Sequence, residues 1–181
     1  MNSHTKLAKF IHWTFTLLYA YGIFKQVGDL NELEDASLLN FEILFATVFL
    51  IIVLTRYFYM KDAPTLLGAH EEVTKGHLLI AKTVHRLVYF SLIMLPTTGL
   101  LIAGLFNLEM GGVEIAVTLH EFSAFLSYLV IAIHVGASLY SRFKGEGLWN
   151  AMVPIWKETG KNNSDIVKKL EVMENKVYKK V

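Results

Sequence analysis

Seven histidines stand in this chain of 181 residues, and their placement is the first thing that could do chemistry. His12, His120 and His134 lie well inside long apolar runs, and His85 lies near the start of another. An ionisable side chain inside a bilayer is costly and turns toward the interior of a helix bundle, so each is a functional candidate. The structural alternative is an imidazole that merely hydrogen-bonds a neighbouring helix. His120 and His134 are fourteen residues apart. On one helix that spacing is a rise of roughly 21 Å and a rotation that returns to within roughly 40° of the same face. One imidazole then lies near the outer leaflet and the other near the inner, which is how a single helix would hold two haems stacked across a membrane. Neutral imidazole is an axial ligand of haem iron.

Depth supplies partners. His12 sits a few residues into the first apolar run, and His134 lies eight residues before Arg142, which marks the cytoplasmic end of the last run. The two are expected at similar depth, clamping one haem b from opposite sides. His85 enters from the same side, beside Arg86. It is a rival ligand, or a group that meets a haem propionate or a quinone headgroup. Arg56 and Arg86 can neutralise propionates; the plainer reading of both is as positive-inside anchors. His4, His70 and His77 are expected to be exposed or interfacial.

These residues need four membrane-crossing helices to carry them. The chain is 54% hydrophobic and only 18% charged, too apolar for an ordinary soluble domain. About 20 mostly apolar residues cross a hydrocarbon core of about 30 Å. Four stretches qualify, at Leu7 to Val27, Ser37 to Met60, Leu79 to Phe106 and Val113 to Phe143. The fold class expected is all-α, a four-helix transmembrane bundle over residues 1–158 with a cytoplasmic tail over 159–181. The first stretch is read as a retained helix rather than a signal peptide, because no small-residue cleavage site follows it. Lys6, Lys9, Arg56, Lys61, Lys75, Lys82, Arg86, Arg142, Lys144, Lys157 and Lys161 gather on one side. Asp29, Glu32, Glu34, Asp35, Glu109 and Glu114 gather on the other. Lys and Arg stay in the cytoplasm during insertion, so both termini are expected there. A net charge of +1 gives no hint of nucleic-acid binding. The absence of cysteine excludes disulfides, thiolate-held metals and covalent haem attachment.

With those residues in place, the chain resembles the bacterial cytochrome b561 and hydrogenase b-type cytochrome superfamily over residues 5 to about 155. The resemblance rests on Ile11-His12-Trp13, on Arg56, and on His85 followed by Leu95-Pro96-Thr97-Thr98-Gly99. It also rests on Leu119-His120-Glu121 followed by Ile133-His134-Val135-Gly136-Ala137. It implies haem b, transmembrane electron transfer and exchange with a quinone pool in the bacterial inner membrane. Two-haem members carry a histidine near the outer end of the second helix, and here Glu42 stands about fourteen residues before Arg56. Either the outer haem is missing, or His120 uses another ligand such as Met110, or His120 has a structural role with Glu42.

The function expected is electron transfer between quinone and a donor or acceptor at the periplasmic side. The chain is then either the anchor subunit of a periplasmic dehydrogenase or hydrogenase, or a standalone oxidoreductase using a small molecule such as superoxide. A non-redox four-helix membrane protein is the alternative. Smaller expectations are a kink at Pro96 and Gly99, close helix or porphyrin approach at Gly136-Ala137-Ser138, and an interfacial segment around Trp149, Met152, Pro154 and Trp156. The tail is expected to form an amphipathic helix, with Ile166, Leu170, Met173 and Val177 at helical spacing.

Overall fold

The computed structural model describes residues 5–62, 75–158, 160 and 162–178, and of residues 75–77 and 178 the backbone alone. His4, His70 and Lys161, with the side chains of Lys75 and His77, lie outside the described residues. The described chain is all-helical: α1 (Lys6–Phe24), α2 (Ala36–Met60), α3 (Lys75–Asn107), α4 (Val113–Lys144), α5 (Leu148–Met152) and α6 (Asp165–Tyr178), with a 3-10 turn at Leu30–Glu34. Among the described residues three helical segments are long and apolar enough to cross a membrane: Ala36–Met60, Leu78–Asn107 and Val113–Lys144. α1 is shorter, at 19 residues, and carries Lys6 and Lys9.

Local chemistry sets the ends. The Thr5 hydroxyl caps α1 by accepting from the Ala8 N–H at 3.1 Å, and the Asp35 carboxylate caps α2 by accepting from Ser37 N–H at 2.8 Å. Gly145 closes α4 with a left-handed φ of 77°, which lets its N–H reach back to the carbonyls of Ser141 and Arg142. α3 runs through Pro96 without ending. Proline removes one ladder donor, and just beside it the Thr97 and Thr98 hydroxyls donate to the carbonyls of Ile93 at 2.7 Å and Met94 at 2.9 Å.

Close backbone packing joins α1 to α2, α2 to α3 and α3 to α4. α1 and α2 are antiparallel. The Thr5 and Tyr59 hydroxyls meet at 3.0 Å at one end, and Lys25 pairs with Glu42 at the other. α1 reaches α4 differently, through long side chains: Tyr19 to Ser127, Gln26 to Tyr128, and Trp13 to the Met152 carbonyl beyond the end of α4. Phe15, Phe49, Val53 and Leu92 form a buried core, with Tyr19, Val88, Tyr89 and Ile131 against it. The outward surface carries Phe10, Leu17, Leu44, Ile51, Phe58, Phe90, Ile115, Phe125 and Ile133. In lipid such a surface costs nothing to expose, because acyl chains are as apolar as leucine.

Beyond α4 the Trp149, Met152, Pro154 and Trp156 segment folds as α5 and a short loop. Glu158 accepts from the N–H groups of Gly147 and Trp149, and Arg142 stacks its guanidinium 3.5 Å over the Trp156 ring. The tail forms α6, but the expected apolar stripe is not what buries it. Ile166, Met173 and Val177 are exposed and Leu170 is half-buried, whereas Val167 is buried. The Lys144 ammonium, at the end of α4, holds Glu174 at 2.7 Å and also pairs with Glu146.

Candidate functional site

α3 meets each of the two α4 histidines. The rings of His85 and His134 lie 4.9 Å apart between centroids and nearly perpendicular, at 81°. Thirteen residues further along α3, the Thr98 hydroxyl lies 3.0 Å from His120 Nδ1. Both contacts follow one antiparallel register, so the expectation that His120 and His134 share a face of α4 agrees with what each touches.

Hydrogen bonds fix the tautomer of two of these rings. The His85 Nδ1 atom lies 2.7 Å from the Ala81 carbonyl, which only accepts, so Nδ1 carries the proton. Thr98 directs its own hydroxyl hydrogen to the Met94 and Leu95 carbonyls, at 2.9 and 3.0 Å, so its oxygen accepts from His120 Nδ1–H. In the neutral form of either ring Nε2 then keeps its lone pair. That is the arrangement in which an imidazole ligates a metal, its second nitrogen bonded to a carbonyl or hydroxyl behind it. The His120 ring also lies against Gly99, where a Cβ would come 3.5 Å from its Cε1.

His12 packs edge-on against Phe15, with ring centroids 5.1 Å apart. Its relation to His134 follows from a bond deeper in the molecule. Tyr19 Oη and Ser127 Oγ lie 2.8 Å apart, joining α1 to α4. Trp13, earlier on α1, reaches Met152, later in the chain, so the two helices run in opposite directions. His12 is seven residues before Tyr19, and His134 is seven residues after Ser127. Seven residues rise roughly 10.5 Å and return to within about 20° of the same face. His12 and His134 therefore lie at matching depth on the two faces that Tyr19 and Ser127 join.

Arg56 completes this layer. Although positioned as a plain positive-inside anchor would be, it is buried, with 6% of its surface exposed. Its Nη1 donates to the Ala8 carbonyl at 2.8 Å, its guanidinium lies 5.5 Å from the centroid of the Phe15 ring, and the Tyr89 hydroxyl is a further partner. It is close enough to His134 to interact electrostatically. Arg86 is exposed.

The outer end is built otherwise. Glu42 pairs with Lys25, and the Lys25 ammonium sits 3.9 Å over the Phe41 ring. Glu42 is thus not the partner of His120, which has Thr98 instead. Met110 is exposed in the turn between α3 and α4. A Cβ at Gly136 would meet nothing within 4 Å, so among the described residues no other helix approaches closely there.

Among the described residues no group of three or more His, Cys, Asp or Glu side chains converges as a protein-only metal site does. Haem iron asks less, two axial ligands from opposite sides. The inner layer fits that need in its chemistry: imidazoles on facing helices that do not pack backbone to backbone, with a buried guanidinium beside them. The outer end offers a single imidazole among the described residues. Sequence reasoning missed Tyr19, Ser127 and the partnership of Thr98. One signal was present: Ser127 stands midway between His120 and His134, on their shared face.

Among curated proteins and among solved structures, no significant match to the chain is found. The sequence pattern of the prokaryotic cytochrome b561 family matches residues 3–154. Covering most of the chain and both ends of the histidine-bearing helices, that match makes this protein a member of the prokaryotic cytochrome b561 family, which implies a membrane b-type cytochrome that carries electrons.

Proposed function

We propose that this protein is a single-haem cytochrome of the bacterial inner membrane that exchanges electrons with the quinone pool. In this reading α1 is a fourth membrane span, both termini are cytoplasmic, and His12 and His134 ligate one haem b in the cytoplasmic half. The observation that carries it is the register set by Tyr19 and Ser127, which brings His12 and His134 to one depth on facing helices. His85 is the weaker ligand candidate, since its ring lies in edge contact with His134 and leaves no room for a macrocycle between the two. Its place at the rim, exposed and with Nε2 able to take up a proton, suits a group that passes protons to or from a quinone headgroup. The bound haem would supply one-electron chemistry. His12 and His134 would hold its iron through one nitrogen each, and Arg56 would offset propionate charge.

In the family pattern the second electron partner sits at the periplasmic side, as a dehydrogenase or hydrogenase subunit or a small oxidant such as superoxide. That version needs an outer haem on His120, for which Glu42, held by Lys25, supplies no nitrogen.

The test is haem content by pyridine hemochrome. The unaltered protein is expected to hold about one haem per chain, since two imidazoles complete one set of axial ligands. His12→Ala and His134→Ala are each expected to lose it, and His120→Ala to keep it. Full retention in either of the first two variants overturns the ligand assignment.

A further inference from the structure

We propose that α6 is a lipid-binding helix, its apolar stripe seated in the headgroup layer of an anionic leaflet and its flanking lysines on the headgroups. The proposal concerns the tail and stands apart from the haem assignment.

α6 divides its surface by charge. Val167, Glu171 and Glu174 share one face by helical period, and this face docks on the bundle. Val167 is buried, and Glu174 accepts from the Lys144 ammonium at 2.7 Å and the Tyr140 hydroxyl at 3.2 Å. The helix also packs on α3. Roughly 100° around the helix runs a stripe of Ile166, Leu170, Met173 and Val177, all exposed except the half-buried Leu170. Lys169 and Lys176 edge that stripe on the side away from the bundle, and both are exposed. Of the acids, Glu171 and Glu174 belong to the docking face, and Asp165 stays in the first turn, 3.8 Å from Lys168. An apolar stripe edged by cations is the pattern of a helix lying in a membrane interface.

Depth identifies the occupant. α4 has 32 residues, a length of roughly 48 Å at 1.5 Å per residue. A bilayer with its headgroups is about 40 to 45 Å thick. α4 therefore reaches from one headgroup layer to the other, and its last two turns, which bear Tyr140 and Lys144, lie among headgroups. Leu139 and Phe143 on the same turns are exposed on the outward surface of the span, so α6 is docked beside lipid. The same end turns Ile155 and Trp156 outward, held by Arg142, whose Nε donates to the Trp156 carbonyl at 3.0 Å. Tryptophan concentrates at this depth. Lys168, Lys169 and Lys176 are exposed, and the sequence continues with Lys179 and Lys180. Their complement is an anionic headgroup.

The chain has no cysteine, so a single substitution takes one nitroxide label. Met173→Cys places it on the stripe, and Asn175→Cys places it on the exposed side opposite. The full chain is held in nanodiscs of phosphatidylcholine and phosphatidylglycerol. Spin relaxation is read with oxygen, which concentrates in lipid, and with a water-soluble nickel complex. The label in Met173→Cys is expected to meet oxygen in preference to nickel, and the label in Asn175→Cys the reverse. Adding Lys169→Gln and Lys176→Gln should lower the ratio of lipid-inserted to free label about fivefold for each lysine, the effect of one charge near an anionic leaflet. Nickel access at Met173→Cys equal to that at Asn175→Cys overturns the proposal. A Met173→Cys label shielded from both probes also overturns it, because a second copy of the chain then covers the stripe. Ile166→Cys gives the same reading at the other end of the stripe and replaces Met173→Cys if that variant fails to fold. None of these readings requires haem, so failure of the single-haem reading leaves them standing.

Discussion

Tyr19 and Ser127 meet hydroxyl to hydroxyl at 2.8 Å, and each stands seven residues from a histidine of the inner layer. Two antiparallel helices slide freely past one another in lipid unless something specific fixes their offset. Here the Tyr19–Ser127 contact does so, with Gln26 to Tyr128 and Trp13 to Met152 on either side of it, and His12 and His134 take their common depth from it.

Tyr19→Phe removes that contact with little change of shape. A hydrogen bond between membrane helices contributes about 0.6 to 1.7 kcal/mol, so the unfolding equilibrium in detergent should shift by about three- to twentyfold. The haem-to-protein ratio should stay unchanged, since neither ligand is altered. No shift in the unfolding midpoint would mean that Trp13 and Gln26 alone set the register.

His85→Ala tests the rim of the inner layer. The haem spectrum should persist while haem oxidation by added quinone slows by about a hundredfold, the low end of what a positioned acid–base group contributes. Stopped-flow spectra distinguish the outcomes. Loss of the spectrum makes His85 an axial ligand, and unchanged kinetics leave it a packing residue for His134.

Arg56→Gln removes a buried positive charge near His134. A guanidinium favours the reduced haem, which carries one positive charge fewer, so the midpoint potential should fall. A buried charge near the haem at an effective dielectric of about 20 contributes on the order of 1 kcal/mol, which is on the order of 50 mV for one electron. Arg56→Lys should recover most of the potential but not the bond to the Ala8 carbonyl. Redox titration of the three proteins gives the answer.

Lys144→Met should free the tail. Lys144 is buried, and its ammonium holds Glu146 and Glu174. Both carboxylates are partly exposed, and a hydrogen bond to a charged group contributes about 1.5 to 3 kcal/mol. That loss falls on the docking of α6, so limited proteolysis between 160 and 178 should accelerate strongly while haem content stays constant. An unchanged cleavage rate would mean that Val167 and the Tyr140 bond to Glu174 retain the helix without Lys144.

The sequence by itself determined the helices of this protein. Each satisfies its backbone bonds within one segment, so a run such as Ala36–Met60 or Val113–Lys144 is legible from apolar length and the charges beside it. It also determined that His120 and His134 share a face, because that follows from helical period alone. The tertiary structure decided what those faces meet. Thr98, not Glu42, partners His120; Glu42 turns to Lys25; Arg56 is inside rather than at the surface; and His85 touches His134. The physical reason is that lipid is as apolar as a helix interface. A membrane helix therefore carries little periodic contrast between its inner and outer faces, and offsets between helices rest on a few contacts such as Tyr19 with Ser127, which no single segment encodes.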